Sequence, residues 1–229
     1  MKLGELAFAC YVFNHLDNRK YELLLKVTGG RPDICNADHR IALLEWLNDW
    51  GCRHISIKYH NSASEQINEW YKEFGNRIPD ENVDLLDLTD ADFISVGNAH
   101  ENLSNRTAAY RQTNGQETTV RFGITAASKI LFAIRPKSIP LWDSPIQQNL
   151  RELYSINSYL DYIRHVKVLI EDLERYCTEQ RFSLNELPQR LNRPTSTVPK
   201  LIDEYYWVTI TREWSLPDKK TLQQWANWS

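Results

Sequence analysis

Apolar residues recur at helical spacing along most of this chain. Over residues 36–50, Ile41, Leu44 and Leu47 fall on one face of a helix with 3.6 residues per turn. Asn36 stands directly before this stretch and is a suitable N-cap, because its side chain can accept a hydrogen bond from an early helix amide. The pattern therefore predicts an amphipathic helix over these residues.

Other segments carry the same signals. Ser62–Glu65 and Ser183–Glu186 read as capping boxes, which mark helix starts. Periodicity predicts further helices over residues 89–97, 100–112, 157–180 and 199–211. Apolar and polar residues alternate in Arg53–Tyr59, which predicts a short strand or an extended link. The pattern as a whole predicts an all-α fold with at most one short strand pair, as a single domain over residues 1–229 or two closely packed lobes.

The segment from Gly123 to Asp143, within residues 120–150, combines a turn, a short helix and an acid at the start of another helix. It begins with the turn Gly123, Ile124 and Thr125, followed by the small residues Ala126, Ala127 and Ser128 and by Lys129. Pro136 and Pro140 end the helix, since proline cannot donate a backbone hydrogen bond. Asp143, followed by Ser144 and Pro145, is then predicted to be the N-cap of the next helix.

Charge is unevenly distributed along the chain. The net charge is −3, but residues 102–142 hold six basic residues and one acid, a local charge of +5 that leaves −8 for the remainder. Residues 80–92 contain six acids and no base. A polarised protein with one basic face suits contact with a polyanion, and a solvated charged surface is the alternative explanation.

The chain shows no sign of a metal site, a cofactor or a membrane span. Its four cysteines form no CxxC pair and its six histidines form no HExxH pattern, so we expect no metal and reduced thiols in the cytoplasm. The apolar N-terminal stretch lacks a cleavage pattern and is too short to cross a bilayer, which favours a buried helix. No P-loop, Rossmann or GxSxG motif occurs.

The segment from Gly123 to Asp143 resembles the helix-hairpin-helix DNA glycosylases, in which a glycine-containing hairpin leads through a helix to an essential aspartate. Leu141-Trp142-Asp143-Ser144 corresponds to the aspartate context of that family. The resemblance implies a two-lobed helical fold with a helix-hairpin-helix element, a cleft between the lobes and double-stranded DNA as the partner. The family's lysine position falls on Ala127 and not on Lys129, so a monofunctional glycosylase without lyase activity is implied.

Each part of the segment has an expected role in that chemistry. Asp143 would stabilise the positive charge that develops on the sugar, and Lys129 would contact a phosphate or Asp143. DNA phosphates would contact the residues of the turn and its surroundings, namely Arg121, Gly123, Ile124, Thr125, Ala126, Ala127 and Ser128. The flipped base would stack on Trp142, with Trp46 and Trp50 as further candidates whose spacing also fits core packing.

Two other classes of protein stay open on the sequence. One is a DNA-binding module that keeps the hairpin and the basic face without the chemistry. The other is a helical interaction protein unrelated to nucleic acid, in which Asp143 is an ordinary N-cap and the small residues serve close helix packing.

Overall fold

A computed structural model describes residues 1–16, 20–113 and 115–225 of the chain. The described residues are mostly helical and include a two-stranded antiparallel sheet. In chain order the elements are α1 (Leu3–Leu16), α2 (Lys20–Val27), α3 (Ala37–Asp49), α4 (His60–Phe74), α5 (Asp90–Asn105), β1 (Thr107–Thr113), β2 (Gln116–Arg121), α6 (Gly123–Ile134), α7 (Ser144–Tyr154), α8 (Tyr159–Glu179), α9 (Leu187–Arg190), α10 (Val198–Tyr206) and α11 (Lys219–Trp225). The predicted helical class, which allows for one short strand pair, is confirmed.

Several helices have the predicted ends. Asn36 caps α3, and its side chain accepts a hydrogen bond from the backbone amide of Asp38. α8 covers nearly the whole of the predicted stretch over residues 157–180. Ser183 and Glu186 exchange the reciprocal bonds of a capping box, although the helix that follows them is a short 3₁₀ turn. Local side-chain chemistry is therefore a sound guide at these ends.

The helix predicted over residues 100–112 is confirmed only as far as Asn105, and its second half is wrong. α5 continues to Asn105, and the chain then enters β1, which pairs with β2. Gly115 in the connecting turn has φ of 77°, a conformation that favours glycine. The predicted loop at Asn114 and Gly115 lies at this turn, but Asn114 itself is outside the described residues. Asn-Gly is a strong signal for a two-residue hairpin, which accounts for the strand pair.

Of the two structures predicted for Arg53–Tyr59, a short strand or an extended link, the strand is wrong. Ile57–Tyr59 form a 3₁₀ turn that leads directly into α4. Ile55 is buried but Ile57 is 75% exposed, so the alternation of these residues does not mark one buried face. Ser62 lies inside α4 and donates its hydroxyl to the carbonyl of Tyr59, so it does not start the helix.

The chain divides into two compact units. The first unit contains Met1–Asn18, Asp84–Asp87 and Pro136–Ser229, and the second contains Arg19–Val83 and Leu88–Arg135. α1 and α7 to α11 therefore belong to the first unit. α2 to α6 and both strands belong to the second.

The second unit is built around large aromatic residues. Trp70 on α4 is fully buried, and its indole nitrogen donates to the carbonyl of Ala99 on α5 at 3.0 Å. Tyr21 on α2 packs on Phe132 of α6, with ring centroids 5.0 Å apart. A buried tryptophan whose N–H is bonded stabilises a core without leaving a polar group unsatisfied.

The first unit packs α1 against α10 and α11. Ala9, Val12 and Phe13 of α1 form an apolar cluster with Val208, which lies in the π-helix Trp207–Thr211 after α10. At the other end of α1, a Cβ atom on Gly4 would lie 2.1 Å from the carbonyl oxygen of Leu222. Glycine is therefore required where α1 meets α11.

The first unit also buries four charged residues. Lys200 lies 2.8 Å from Asp203, and Arg193 lies 2.7 Å from Glu204, with every side chain at most 7% exposed. Burial lowers the pKa of Lys200, but the charges of Asp203 and Glu204 outweigh that effect and the pKa lies above its ordinary value. The four residues, here called the charged cluster, are therefore paired inside the core.

Among the described residues, no helix combines the length and the apolar character that crossing a membrane requires.

Candidate functional site

The loop before Asp143 is held by side chains from two helices of the first unit. Three consecutive carbonyls each accept a hydrogen bond: Pro140 from the Tyr159 hydroxyl at 2.6 Å, Leu141 from the Tyr162 hydroxyl at 2.7 Å and Trp142 from the Gln147 amide at 2.8 Å. Burial raises the pKa of both phenols well above the ordinary value, so they keep the protons that they donate. The loop is therefore fixed up to the residue before Asp143.

Asp143 lies at the position that the sequence predicts, directly before α7. Its backbone is extended and its carbonyl accepts a hydrogen bond from the amide of Gln147, while Pro145 lies in the first turn. The half-buried carboxylate, however, does not accept a capping hydrogen bond from α7. A helix N-terminus carries partial positive charge and is a common place for an acidic side chain.

The turn at Gly123 lies in the second unit and is fixed by two histidines. Gly123 has φ of 75° and is the first residue of α6, separated from the strand β2 only by Phe122. Nε2 of His54 lies 2.9 Å from the carbonyl oxygen of Phe122, and Nε2 of His100 lies 3.0 Å from that of Ile124. Since a carbonyl oxygen only accepts, each Nε2 carries the donated proton.

His100 is uncharged at neutral pH. Burial lowers the pKa of this imidazole to about 4. The histidine therefore acts as a neutral hydrogen-bond donor that holds the first turn of α6. Phe122 supplies no capping side chain to α6. The first amides of a helix have no acceptors within it, so this turn offers donors of the kind that bind phosphate.

The residues predicted to bind phosphate differ in their accessibility. Arg121 and Ile124 are exposed, Gly123 and Thr125 are half-buried, and Ala126, Ala127 and Ser128 are buried. The hydroxyl of Ser128 donates to the carbonyl of Thr125 at 3.0 Å. The guanidinium of Arg121 donates to Asn105 at 2.7 Å and stays at the surface. The beginning of the predicted phosphate site is thus open, whereas its end packs inside the second unit.

Lys129 is buried, with its side chain against Trp50. The ammonium donates to the carbonyl of Trp50 at 2.5 Å and lies 5.1 Å from the centroid of the indole ring. Trp50 in turn lies against Trp46, which is 4% exposed, with ring centroids 4.9 Å apart. The structure thus brings these three predicted site residues together, as a packed group inside the second unit.

Trp142 is 2% exposed and stacks on Tyr162, with ring centroids 5.3 Å apart and planes inclined by 9°. This contact makes Trp142 part of the support of the Asp143 loop. Cavities of about 440 Å³ and about 570 Å³ in the first unit are lined by residues other than Asp143 and Trp142. These cavities identify no base pocket beside Asp143.

Sequence reasoning missed the residues that hold the two predicted segments. Tyr159 and Tyr162 follow Asp143 by 16 and 19 residues, and their positions on the buried face of α8 look like ordinary core. His54 and His100 are single histidines without a motif. Only contacts distant in sequence reveal these roles, and such contacts leave no local pattern.

Within the described ranges, no group of three or more histidine, cysteine or acidic side chains could hold a metal ion. Comparison with protein-family models, with curated proteins and with solved structures finds no match to this chain. The likeness to DNA glycosylases therefore depends on the residues between Gly123 and Asp143.

Proposed function

We propose that this protein is a monofunctional DNA glycosylase, which hydrolyses the N-glycosidic bond of a damaged or modified base in double-stranded DNA. Asp143 would act on a nucleotide rotated out of the duplex, and the biological use would be repair or attack on modified phage DNA. The segment that starts at Gly123 would serve as the hairpin of that family, with the strand β2 in the place of its first helix. Two helical lobes with a DNA cleft are part of this proposal.

The observation that carries the proposal is the placement of Asp143, half-buried at the N-terminus of α7 and directly after a loop that two tyrosine hydroxyls hold. The three bonded carbonyls before it hold the backbone in place, as a catalytic group requires.

The chemistry asks two things of Asp143. The carboxylate has to act as an anion. It then stabilises the sugar as positive charge develops at C1′, and it orients or deprotonates the attacking water. Lys129 would add positive charge without becoming a nucleophile, because its side-chain nitrogen donates to the carbonyl of Trp50.

DNA binding would start at the turn that includes Gly123. The donors in the first turn of α6 suit a backbone phosphate, and the exposed guanidinium of Arg121 adds charge nearby. Ala126, Ala127 and Ser128 would support the turn from inside, since they are buried. Neither kind of contact reads the base sequence.

The test is base release from a panel of duplexes, each carrying one modified base, including bulky phage-type pyrimidines. The wild-type protein should create alkali-labile abasic sites in at least one duplex. Asp143→Asn should reduce the rate by at least about 100-fold and leave duplex affinity unchanged. Asp172→Asn, at a half-buried aspartate of α8 that pairs with the exposed Arg175, is the matched control and should behave as wild type.

Two results would overturn the proposal: full activity in Asp143→Asn, or no base release on any duplex of the panel. A covalent complex trapped by borohydride would contradict the absence of lyase activity. In that case Lys129→Met would show whether Lys129 forms it.

A DNA-binding module without catalysis is the second candidate. It is favoured by the division of the chain, because Asp143 belongs to the first unit and the turn at Gly123 to the second. A second unit that binds DNA has no need of Asp143. Salt-dependent duplex binding without base release would select this candidate.

A further inference from the structure

The β1–β2 hairpin of the second unit is exposed on both faces. Every side chain described from Tyr110 to Gln112 and from Gln116 to Arg121 is exposed or half-buried. A sheet that only covers a core buries one face and presents the other to water. Most of this hairpin, here called the ribbon, therefore covers no core.

The pairing of the strands sorts the side chains onto two faces. Arg111 lies opposite Thr118, and Gln116 is two residues before Thr118, so these three side chains share one face. The opposite face holds Gln112 paired with Glu117, and Tyr110 paired with Thr119. The first face thus presents a guanidinium and an amide without an acid, beside the Thr118 hydroxyl, which donates to the carbonyl of Arg111 at 3.1 Å. The second face includes a carboxylate.

A basic and aromatic platform adjoins the ribbon. Tyr59 contacts Tyr110 edge to face, with ring centroids 5.8 Å apart. The ammonium of Lys58 lies 4.5 Å from the centroid of the Tyr59 ring. In the described part of the chain, neither Lys58 nor Arg111 forms an ion pair with a carboxylate. Two exposed cations are thereby left available to an anionic partner.

We propose that the ribbon enters a groove of double-stranded DNA, with the Arg111, Gln116 and Thr118 side chains toward the base edges and Lys58 against the phosphate backbone. The major groove is about 12 Å wide and admits a two-stranded ribbon. A groove encloses such a ribbon from both sides, which matches its exposure on both faces. Arginine pairs with guanine and glutamine with adenine in this groove, so the first face can read sequence.

The chemistry of the ribbon favours DNA over an apolar surface. Its exposed side chains are amides, hydroxyls and charged groups, with Tyr110 as the large apolar exception. A membrane or an apolar peptide would leave those polar groups without partners. The inference rests on the DNA-binding part of the proposed function and not on Asp143.

The experiment measures the affinity of the full chain for a labelled random-sequence duplex over a range of salt concentrations. Arg111→Ala combined with Lys58→Ala should weaken binding by at least about tenfold at low salt and flatten the plot of log Kd against log salt. Gln116→Ala should leave that slope unchanged and reduce the base preference selected from a randomised duplex library. Glu117→Gln should tighten binding about twofold, because a negative charge leaves the ribbon.

Lys26→Ala, at an exposed lysine of α2, is the control and should bind as wild type does. Unchanged binding in the double variant would overturn the inference, as would equal affinity of the wild type for single-stranded DNA. Circular dichroism confirms that each variant is folded. Base release is measured in parallel. DNA binding that depends on the ribbon, without any base release, would overturn only the glycosylase proposal. Base release that depends on Asp143, with no effect of the ribbon variants on binding, would overturn only this inference.

Discussion

The charged cluster of the first unit and the ribbon of the second use similar residues in opposite ways. In the cluster, Lys200 and Arg193 are buried and each is paired with a carboxylate. In the ribbon and its platform, Arg111 and Lys58 are exposed, and no described carboxylate forms an ion pair with them. Sequence alone does not separate the two sets, because all four are ordinary basic residues in helical or polar stretches.

The difference shows which charged residues stabilise the fold and which can bind a ligand. A buried cation has lost its hydration, so it depends on its carboxylate partners, and removing one member leaves the others uncompensated. An exposed cation keeps its hydration and can exchange it for a ligand. Burial and pairing therefore identify the basic residues that are available for binding.

The largest effect is expected inside the charged cluster. Lys200→Met leaves Asp203 and Glu204 in the core without their shared cation, and it should lower the free energy of unfolding by about 3–5 kcal/mol. Urea denaturation followed by circular dichroism measures this change. A loss below about 1 kcal/mol would mean that water reaches the cluster and that the comparison with the ribbon is wrong.

A smaller effect is expected at His100, where burial of a titratable side chain in the second unit makes the stability depend on pH. His100 has a pKa of about 4 in the folded protein, below the value of about 6.5 for an unfolded chain. The unfolded chain therefore binds the proton first as the pH falls. The stability contributed by the neutral imidazole is complete above about pH 6.5 and is lost toward pH 4, by at most about 3 kcal/mol.

The measurement compares urea denaturation of wild type and His100→Gln at several pH values. Glutamine keeps a donor for the carbonyl of Ile124 but does not titrate. The variant should lack the part of the pH dependence between pH 6.5 and pH 4 that belongs to His100. Equal pH profiles for the two proteins would show that this imidazole is hydrated.

The smallest effect is expected at the ribbon. Arg111→Ala removes an exposed side chain without an ion-pair partner, so the free energy of unfolding should change by less than about 0.5 kcal/mol. Thermal or urea denaturation at low and at high salt checks this. A loss comparable with that of Lys200→Met would place Arg111 among the residues that hold the fold.

Helix starts could be predicted where the signal is local. Asn36 caps α3 and the Ser183 box forms as predicted, because the groups that meet are within three residues of each other. The sequence predicts a helix over most of the first strand of the ribbon, because neither face of the ribbon is buried. Without a buried face, the alternation that identifies a strand is missing, and Asn114-Gly115 was the remaining signal.

The candidate site was predictable in position but not in environment. Asp143 stands at the start of α7 as expected, since Pro136 and Pro145 limit where the helices can end and begin. The burial of Lys129 and Ser128 was not expected. Both lie on a helix whose residues from Ala126 to Ile134 are all buried, so the hydrophobic pattern of α6 defines no exposed face.

The four cysteines are placed so that their alkylation can report the opening of each unit. Cys10 and Cys177 are buried in the first unit, and burial raises the pKa of both thiols, so they react with an alkylating reagent when that unit opens. Cys52 is buried in the second unit and Cys35 is exposed there. Alkylation followed by peptide mass spectrometry would time the opening of each unit separately, with Cys35 as the reference for complete access.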